Sequence, residues 1–233
     1  AIYSADDLII TGTGTLTDDA SFADGIVGKD DLSIESGTIT VTSEDDGIRG
    51  KDSLSISGGT ITIDAVADAL KATNDTDAGS GIILISGGDI AITAGDDGVQ
   101  AEQQVSITGG TVDIAQSVEG IEAPVVVIDD GTISINASDD GINASASTFV
   151  TSGLSVTING GDISITMASG DTDAIDSNGD ITITGGTIDI SGQSATDFDG
   201  TGTLTGGTVT VNGSQITELT AQMMGGGGGP GGR

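Results

Sequence analysis

The chain of 233 residues carries 36 Asp and Glu against 5 Lys and Arg, a formal net charge of −31, and it has neither Cys nor His. Such a balance repels nucleic acid and anionic membrane surfaces and suits cations, or partners reached through cations, with solubility as the plainer reason for an acidic surface. The missing His and Cys exclude the usual zinc and iron–sulfur sites, the Ser-His-Asp and Cys-His nucleophile systems, and disulfide staples.

In chain order, residues 1–23 read as a partial first coil of a repeat. Asp6-Asp7-Leu8-Ile9-Ile10 resembles Asp30-Asp31-Leu32-Ser33-Ile34, and Thr15-Leu16-Thr17 resembles Thr38-Ile39-Thr40. From Asp24 onward the same unit recurs, so the repeat decides the fold. Its register mark is an acidic residue at Asp24, Asp46, Asp68, Asp97, Glu119, Asp140, Asp173 and Asp197, in steps of 22, 22, 29, 22, 21, 33 and 24 residues. Two positions after the mark stands an apolar residue, from Ile26 and Ile48 to Ile142 and Ile175. The eighth copy departs, because Phe198 directly follows Asp197.

Each unit then carries two runs of apolar residues spaced by two, such as Leu54/Ile56 and Ile61/Ile63, with Gly58-Gly59 between them. Period-two alternation of β-branched residues predicts strands with one buried face, and Gly accepts the positive φ of a tight corner. Three short strands in about 22 residues describe one coil of a single-stranded, right-handed parallel β-helix, the hand taken from parallel crossovers. About eight such coils stacked at the inter-strand spacing make an all-β rod of roughly 40 Å. The domain is expected over residues 1–222, closed at its end by Ile216 and Leu219, with a Gly-rich disordered tail over residues 223–233. No apolar run approaches the ~18 residues of a membrane span, and a start at Ala1 without Met fits a processed, secreted or surface protein.

The two longest steps place insertions at one corner, after Lys71-Ala72 and after Asn143-Ala144, over residues 73–81 and 145–153. Stacking in register sends both loops out from one side of the rod. That pattern marks a binding face in repeat proteins; tolerated surface loops read equally well.

A column of carboxylates repeating every ~4.8 Å repels itself by about 1 kcal/mol per pair in water and by several at an effective dielectric near 20. Something must compensate it. Turn N–H groups are one answer, and Ca²⁺ held between coils is another. The mark residues Asp46, Asp68, Asp97, Asp140 and Asp173 suit the turn ladder first and metal second. The residue before the mark is acidic at Asp45, Asp96 and Asp139, which can face solvent and are the better metal candidates. Asp75 and Asp77 in the first insertion, and Asp171 with Asp173 at the long step, complete the candidate set. There is no EF-hand loop.

The cations are few and clustered. Lys29 and Lys51 are equivalent by register, as are Arg49 and Lys71; Arg233 lies in the tail. These four form either salt bridges to nearby acids or a ligand-binding patch for sugar carboxylates. Outward residues such as Thr60/Thr62 and Thr111/Asp113 read as a solvated face. The aromatics Tyr3, Phe22, Phe149 and Phe198 are dispersed, so a stacking platform for crystalline cellulose is hard to build.

The recurrent Asp-Gly-Ile-x-x-Lys-Asp-x-Leu-x-Ile-x-Gly-Gly-Thr-Ile-Thr-Ile pattern, clearest at residues 24–41 and 46–63, resembles the clostridial-type carbohydrate-binding β-helix proteins, which are similar in fold to pectate lyases. The resemblance implies a secreted or surface-attached bacterial protein that binds Ca²⁺ and plant cell-wall polysaccharide, with polygalacturonate and cellulose as ligand classes and no established catalysis. It implies no particular ligand residues.

Two other functions stay open. One is a Ca²⁺-dependent polygalacturonate lyase, with Lys51, Lys71 or Arg49 as base and, for Lys, a lowered pKa. The regularity of the coils speaks against a catalytic coil. The other is a structural surface stalk.

Overall fold

The computed structural model describes residues 1–170 and 172–221. Asp171 and the tail expected over 223–233 lie outside the described residues. All regular structure among the described residues is β. Short strands from successive coils pair in parallel to form a nine-stranded sheet: Ile2–Ser4, Ile26–Gly28, Ile48–Gly50, Leu70–Ala72, Val99–Ala101, Ile121–Glu122, Ile142–Ala144, Asp173–Ser177 and Ser194–Phe198. Each coil adds two further strands that stack in the same way, for example Ser53–Ile56 under Ile82–Ile85 and Thr60–Ala65 under Asp89–Ala94. In the fifth and sixth coils these two faces run together, as Gln104–Ser117 and Val125–Ala137. The solenoid therefore has nine rungs. The stretch before Asp24 is a whole rung, its three strands Ile2–Ser4, Leu8–Ile10 and Thr15–Ala20 each pairing with the next coil.

The core follows from the period-two pattern. Ile26, Ile48, Leu70, Val99, Ile121, Ile142 and Ile175 form one fully buried column, and Leu54, Ile56, Ile61 and Ile63 belong to four more. Like stacks on like because the register is a fixed coil length, so branched aliphatic side chains interdigitate without aromatics. Each buried Ile, Leu or Val contributes about 1.5–3 kcal/mol relative to exposure. A sixth column, facing the acidic corner, is mostly small: Ala20, Ser43, Ala65, Ala94, Ser117 and Ala137.

Two kinds of corner shape the surface. At the Gly-Gly corners the second glycine takes a left-handed φ, as in Gly161 at 91°, which a Cβ disfavours. At the acidic corner the chain passes close to the next coil: a Cβ on Gly47 would stand 2.5 Å from Ile63 Cγ2 and 2.6 Å from the Ala69 carbonyl oxygen. The last rung is closed by Ser214–Ile216, antiparallel to Thr208–Val211, and by Leu219 packed on the core.

The register of the eighth repeat differs from the sequence reading. Ser194, not Asp197, pairs with Asp173, and Asp197 pairs with Asp176. The coil lacks the Gly that follows the mark in most coils, so the sequence offered Asp197 as the nearest acid. The core spacing decides instead, placing Thr196 beside Ile175. The acidic mark column thus ends at Asp173.

Candidate functional site: an acidic face between two inserted loops

The mark residues are pulled into the corner. Asp46, Asp68 and Asp97 are buried, and Asp24, Glu119, Asp140 and Asp173 are half-buried. Their carboxylates serve the ladder. Asp68 Oδ1 accepts the Asp97 N–H at 2.9 Å, Asp97 Oδ1 accepts the Glu119 N–H at 3.4 Å, and Asp140 Oδ1 accepts the Asp173 N–H at 3.0 Å. Asp173 also accepts the Ser194 hydroxyl. The expectation was a bond within each acid's own turn; these bonds run instead to the turn N–H of the next coil. They do not neutralise its charge.

Charge balance comes from a neighbouring column, three residues after each mark, that faces outward from the nine-stranded sheet. It reads Tyr3, Val27, Arg49, Lys71, Gln100, Glu122, Asn143, Asp176 and Asp197. In the third and fourth rungs it is cationic. Arg49 pairs with Asp24 and lies 3.7 Å from Asp46; Lys71 pairs with Asp68 and lies 3.5 Å from Asp46. Burial alone would lower the Lys71 pKa, but its bonds to Asp68 and Asp46 more than offset this and leave it raised. Of the other predicted cations, Lys51 meets Asp52 at 3.5 Å and Lys29 stands 5.8 Å from the centre of the Tyr3 ring.

From the fifth rung onward the cations stop and acids continue. Among the described residues no Lys or Arg pairs with Asp97, Glu119 or Glu122, although these three offer carboxylate oxygens within 4.8 Å of one another. Burial, then mutual repulsion, pushes Asp97 and Glu119 far above the usual carboxylate range. Burial likewise lifts Asp140 to about 6 and Asp176 to about 7. Asp46, despite Lys71, is held at about 6 by burial.

Two amide oxygens beside this trio are buried without a partner: Gln100 Oε1 and Asn143 Oδ1, directly before and after Glu122 in the outward column. Asn143 is only 7% exposed, and its Nδ2 donates to Glu119 Oε1 at 3.0 Å. Orphaned buried acceptors are rare and call for a donor or a cation. Three carboxylates and two amide oxygens are hard oxygen donors of the kind Ca²⁺ takes, about six to eight at a time. The donor set therefore fits the ion that the family resemblance implies.

The other predicted metal residues divide. Asp45 joins Asp24 and Asp46, and Asp96 joins Asp68 and Asp97, each as a close trio with one exposed member. There the Arg49 and Lys71 side chains already supply positive charge. Among the described residues, Asp75, Asp77, Asp139 and Asp140 enter no such trio. A further exposed trio, Asp6, Asp7 and Asp30, lies at the first rungs. Glu119, Glu122, Gln100 and Asn143 were not among the metal candidates read from the sequence. The signal was present, since they occupy the mark position or the position of Arg49 and Lys71 in later coils.

Beside the trio lies a polar pocket of about 240 Å³, lined by Gln100, Glu102, Glu122, Ser145, Ser147 and Thr148 among others. Of the two inserted loops, the second bounds it, through Ser145, Ala146, Ser147 and Thr148, and the first contributes no lining residue. The first is pinned across the fifth coil, where Gln103 Nε2 donates to the Asp77 carbonyl at 2.6 Å and Gln103 Oε1 accepts the Gly79 N–H at 3.1 Å. The second is tied to the sixth, where Ser145 Oγ donates to Glu122 Oε1 at 2.6 Å. A larger open concavity of about 590 Å³ runs along the Gly-Gly corners between Asp130, Thr132, Asp162 and Thr187. It is a by-product of glycine corners and gathers no trio of acids.

Among solved structures, the chain is similar to a polysaccharide lyase-like protein from C. thermocellum, determined as a gadolinium derivative. The identity is 22%, over 90% of this chain and 86% of that one, with a TM-score of 0.45. No curated protein matches it. Residues 1–169, and again 115–223, match the family described as carbohydrate-binding domain-containing protein. The two overlapping matches reflect the repeat, and together they span the solenoid: the chain belongs to the carbohydrate-binding domain-containing protein family.

Proposed function

We propose that this protein binds acidic plant cell-wall polysaccharide of the polygalacturonate type, through Ca²⁺ on the acidic face, and does so outside the cell without cleaving it. The observation that carries this reading is the Asp97, Glu119 and Glu122 trio, which lacks a basic partner among the described residues and has the orphaned Gln100 and Asn143 oxygens beside it. One buried and two half-buried carboxylates this close repel one another, and a divalent cation relieves that repulsion. When bound, Ca²⁺ supplies positive charge and open coordination positions for a sugar carboxylate. The residues of this chain hold the oxygens in place through the Asn143–Glu119 and Ser145–Glu122 bonds.

Two features favour binding over elimination. A lyase base needs a lysine with a lowered pKa, whereas Lys71 is raised and bound to Asp68, and Arg49 is bound to Asp24. Cellulose is the weaker ligand on this reading. Tyr3, Phe22, Phe149 and Phe198 lie in different rungs or loops and form no platform.

The test combines a pull-down with an absorbance assay. Immobilised polygalacturonate is expected to retain the protein in Ca²⁺ and release it in chelator, with no unsaturated product absorbing in the ultraviolet. Retention that ignores chelator removes the calcium reading. Product that disappears in Lys71→Ala or Lys51→Ala establishes the lyase instead.

A further inference from the structure

The acidic face runs along much of the rod, and one part of it carries a pocket beside an inserted loop. The inserted loops leave from the fourth and seventh rungs at the same corner, after Leu70–Ala72 and after Ile142–Ala144. The fifth and sixth rungs lie between them, a gap of roughly 14 Å at the inter-strand spacing. Across that gap sits the 240 Å³ pocket, with Ala101, Ala123 and Pro124 as its small floor. Gln100 and Glu122 form the wall toward the carboxylate trio, and Ser147 and Thr148 of the second loop form part of the opposite side. The loop is built to hold its shape: Ser147 Oγ accepts the N–H groups of Phe149 at 3.2 Å and Val150 at 3.0 Å, and the Ser147 N–H donates to the Val150 carbonyl at 3.0 Å. Thr148 is exposed, and its hydroxyl has no hydrogen-bond partner among the described residues. The same loop carries Phe149, one of only four aromatics.

We propose that this pocket is a subsite for one uronate unit of the polysaccharide and that the loop of residues 145–153, through Thr148, is its specificity element. The assignment rests on the cation-dependent reading above and adds to it where the sugar sits and what selects it. Glu102 and Glu122 in the wall repel a free carboxylate, so an acidic sugar enters only with a divalent cation. The loop hydroxyls, which are neutral donors and acceptors, then read the sugar's own hydroxyls. Because a loop stands at each end of the gap, a bound chain crosses the rod rather than running along it. Internal segments of a polymer are therefore accepted as readily as chain ends.

Calorimetry on the full chain tests this in two steps, with Ca²⁺ alone and then with trigalacturonate in Ca²⁺, against cellotriose as the neutral control. One variant replaces residues 146–153 with the short corner of the sixth coil and keeps Ser145 with its bond to Glu122; the other is Thr148→Val, which removes a single hydroxyl at constant shape. Both are expected to bind Ca²⁺ within about twofold of the parent, since neither changes a carboxylate. The loop variant is expected to bind trigalacturonate more than about tenfold more weakly, and Thr148→Val about fivefold more weakly, as one lost hydrogen bond gives. If the loop variant does not fold, Thr148→Val decides. Undiminished trigalacturonate binding with intact Ca²⁺ binding would overturn the subsite and leave the calcium reading standing. A parent protein that binds no Ca²⁺, or binds trigalacturonate equally in chelator, refutes the reading on which the subsite rests.

Discussion

Lys71→Gln probes the charge logic of the whole face. The Lys71 ammonium lies 3.5 Å from Asp46 Oδ1 and also pairs with Asp68, whose side chain is 4% exposed. At an effective dielectric near 20, a single contact of that length is worth about 5 kcal/mol in gross Coulomb attraction. Removing one partner of a buried pair costs about 3–5 kcal/mol net. Lys71 is itself 27% exposed, which places the cost near the lower end, about 3 kcal/mol. For a domain of this length that lowers Tm by about 6–12 °C at pH 8 in chelator. The loss is expected to shrink in two ways. Asp46 already titrates at about 6 against a reference of 3.8, so the fold holds an extra proton between those values and loses stability as pH rises through them. Without Lys71 that window moves higher, so at pH 5 Asp46 is protonated and the deficit is smaller. Ca²⁺ at about a hundredfold over its Kd, bound at the Asp24–Asp45–Asp46 or Asp68–Asp96–Asp97 trio, would restore about 2.7 kcal/mol. The assay is a thermal melt followed by circular dichroism at pH 5 and pH 8, with chelator or Ca²⁺. A Tm unchanged at pH 8 in chelator refutes the idea that Lys71 neutralises the column. A loss insensitive to both pH and Ca²⁺ shows that its role is packing.

The parent protein in chelator is expected to be more stable at pH 5 than at pH 8, because Asp140 and Asp176 are raised to about 6 and about 7 and folding favours their protonated forms; a Tm rising from pH 5 to pH 8 contradicts this. Glu122→Gln removes one carboxylate from the uncompensated trio and should weaken Ca²⁺ binding at least about tenfold by calorimetry while raising Tm in chelator, as relief of like-charge repulsion requires. Ile56→Ala opens a hole in a fully buried column and should cost about 2–5 kcal/mol, read as a shift in the urea midpoint. Gly47→Ala sets a Cβ against Ile63 and the Ala69 carbonyl; it should destabilise without altering Ca²⁺ affinity per folded molecule.

The regularity of the coil made the fold legible. Leu54/Ile56 and Ile61/Ile63 face inward because period two leaves no alternative, and each later coil repeats them in register. The insertions at 73–81 and 145–153 were legible for the same reason. Asp197 shows where this fails: local spelling suggested a mark, but the core column set the register and put Ser194 there. The site was partly legible. Asp45, Asp46, Asp68, Asp96 and Asp97 fall in close trios, whereas Glu122 and Asn143 become visible only when the column of Arg49 and Lys71 is followed past the point where its charge changes sign.

The sequence by itself determined the solenoid, its core and the side on which the loops emerge, because these depend on periodicity, which every coil restates. The tertiary structure decided which acids are compensated. Asp24 and Asp46 find Arg49 and Lys71 about one coil distant, so only the register could show those cations bridging successive marks, and, among the described residues, Asp97, Glu119 and Glu122 left without a basic partner.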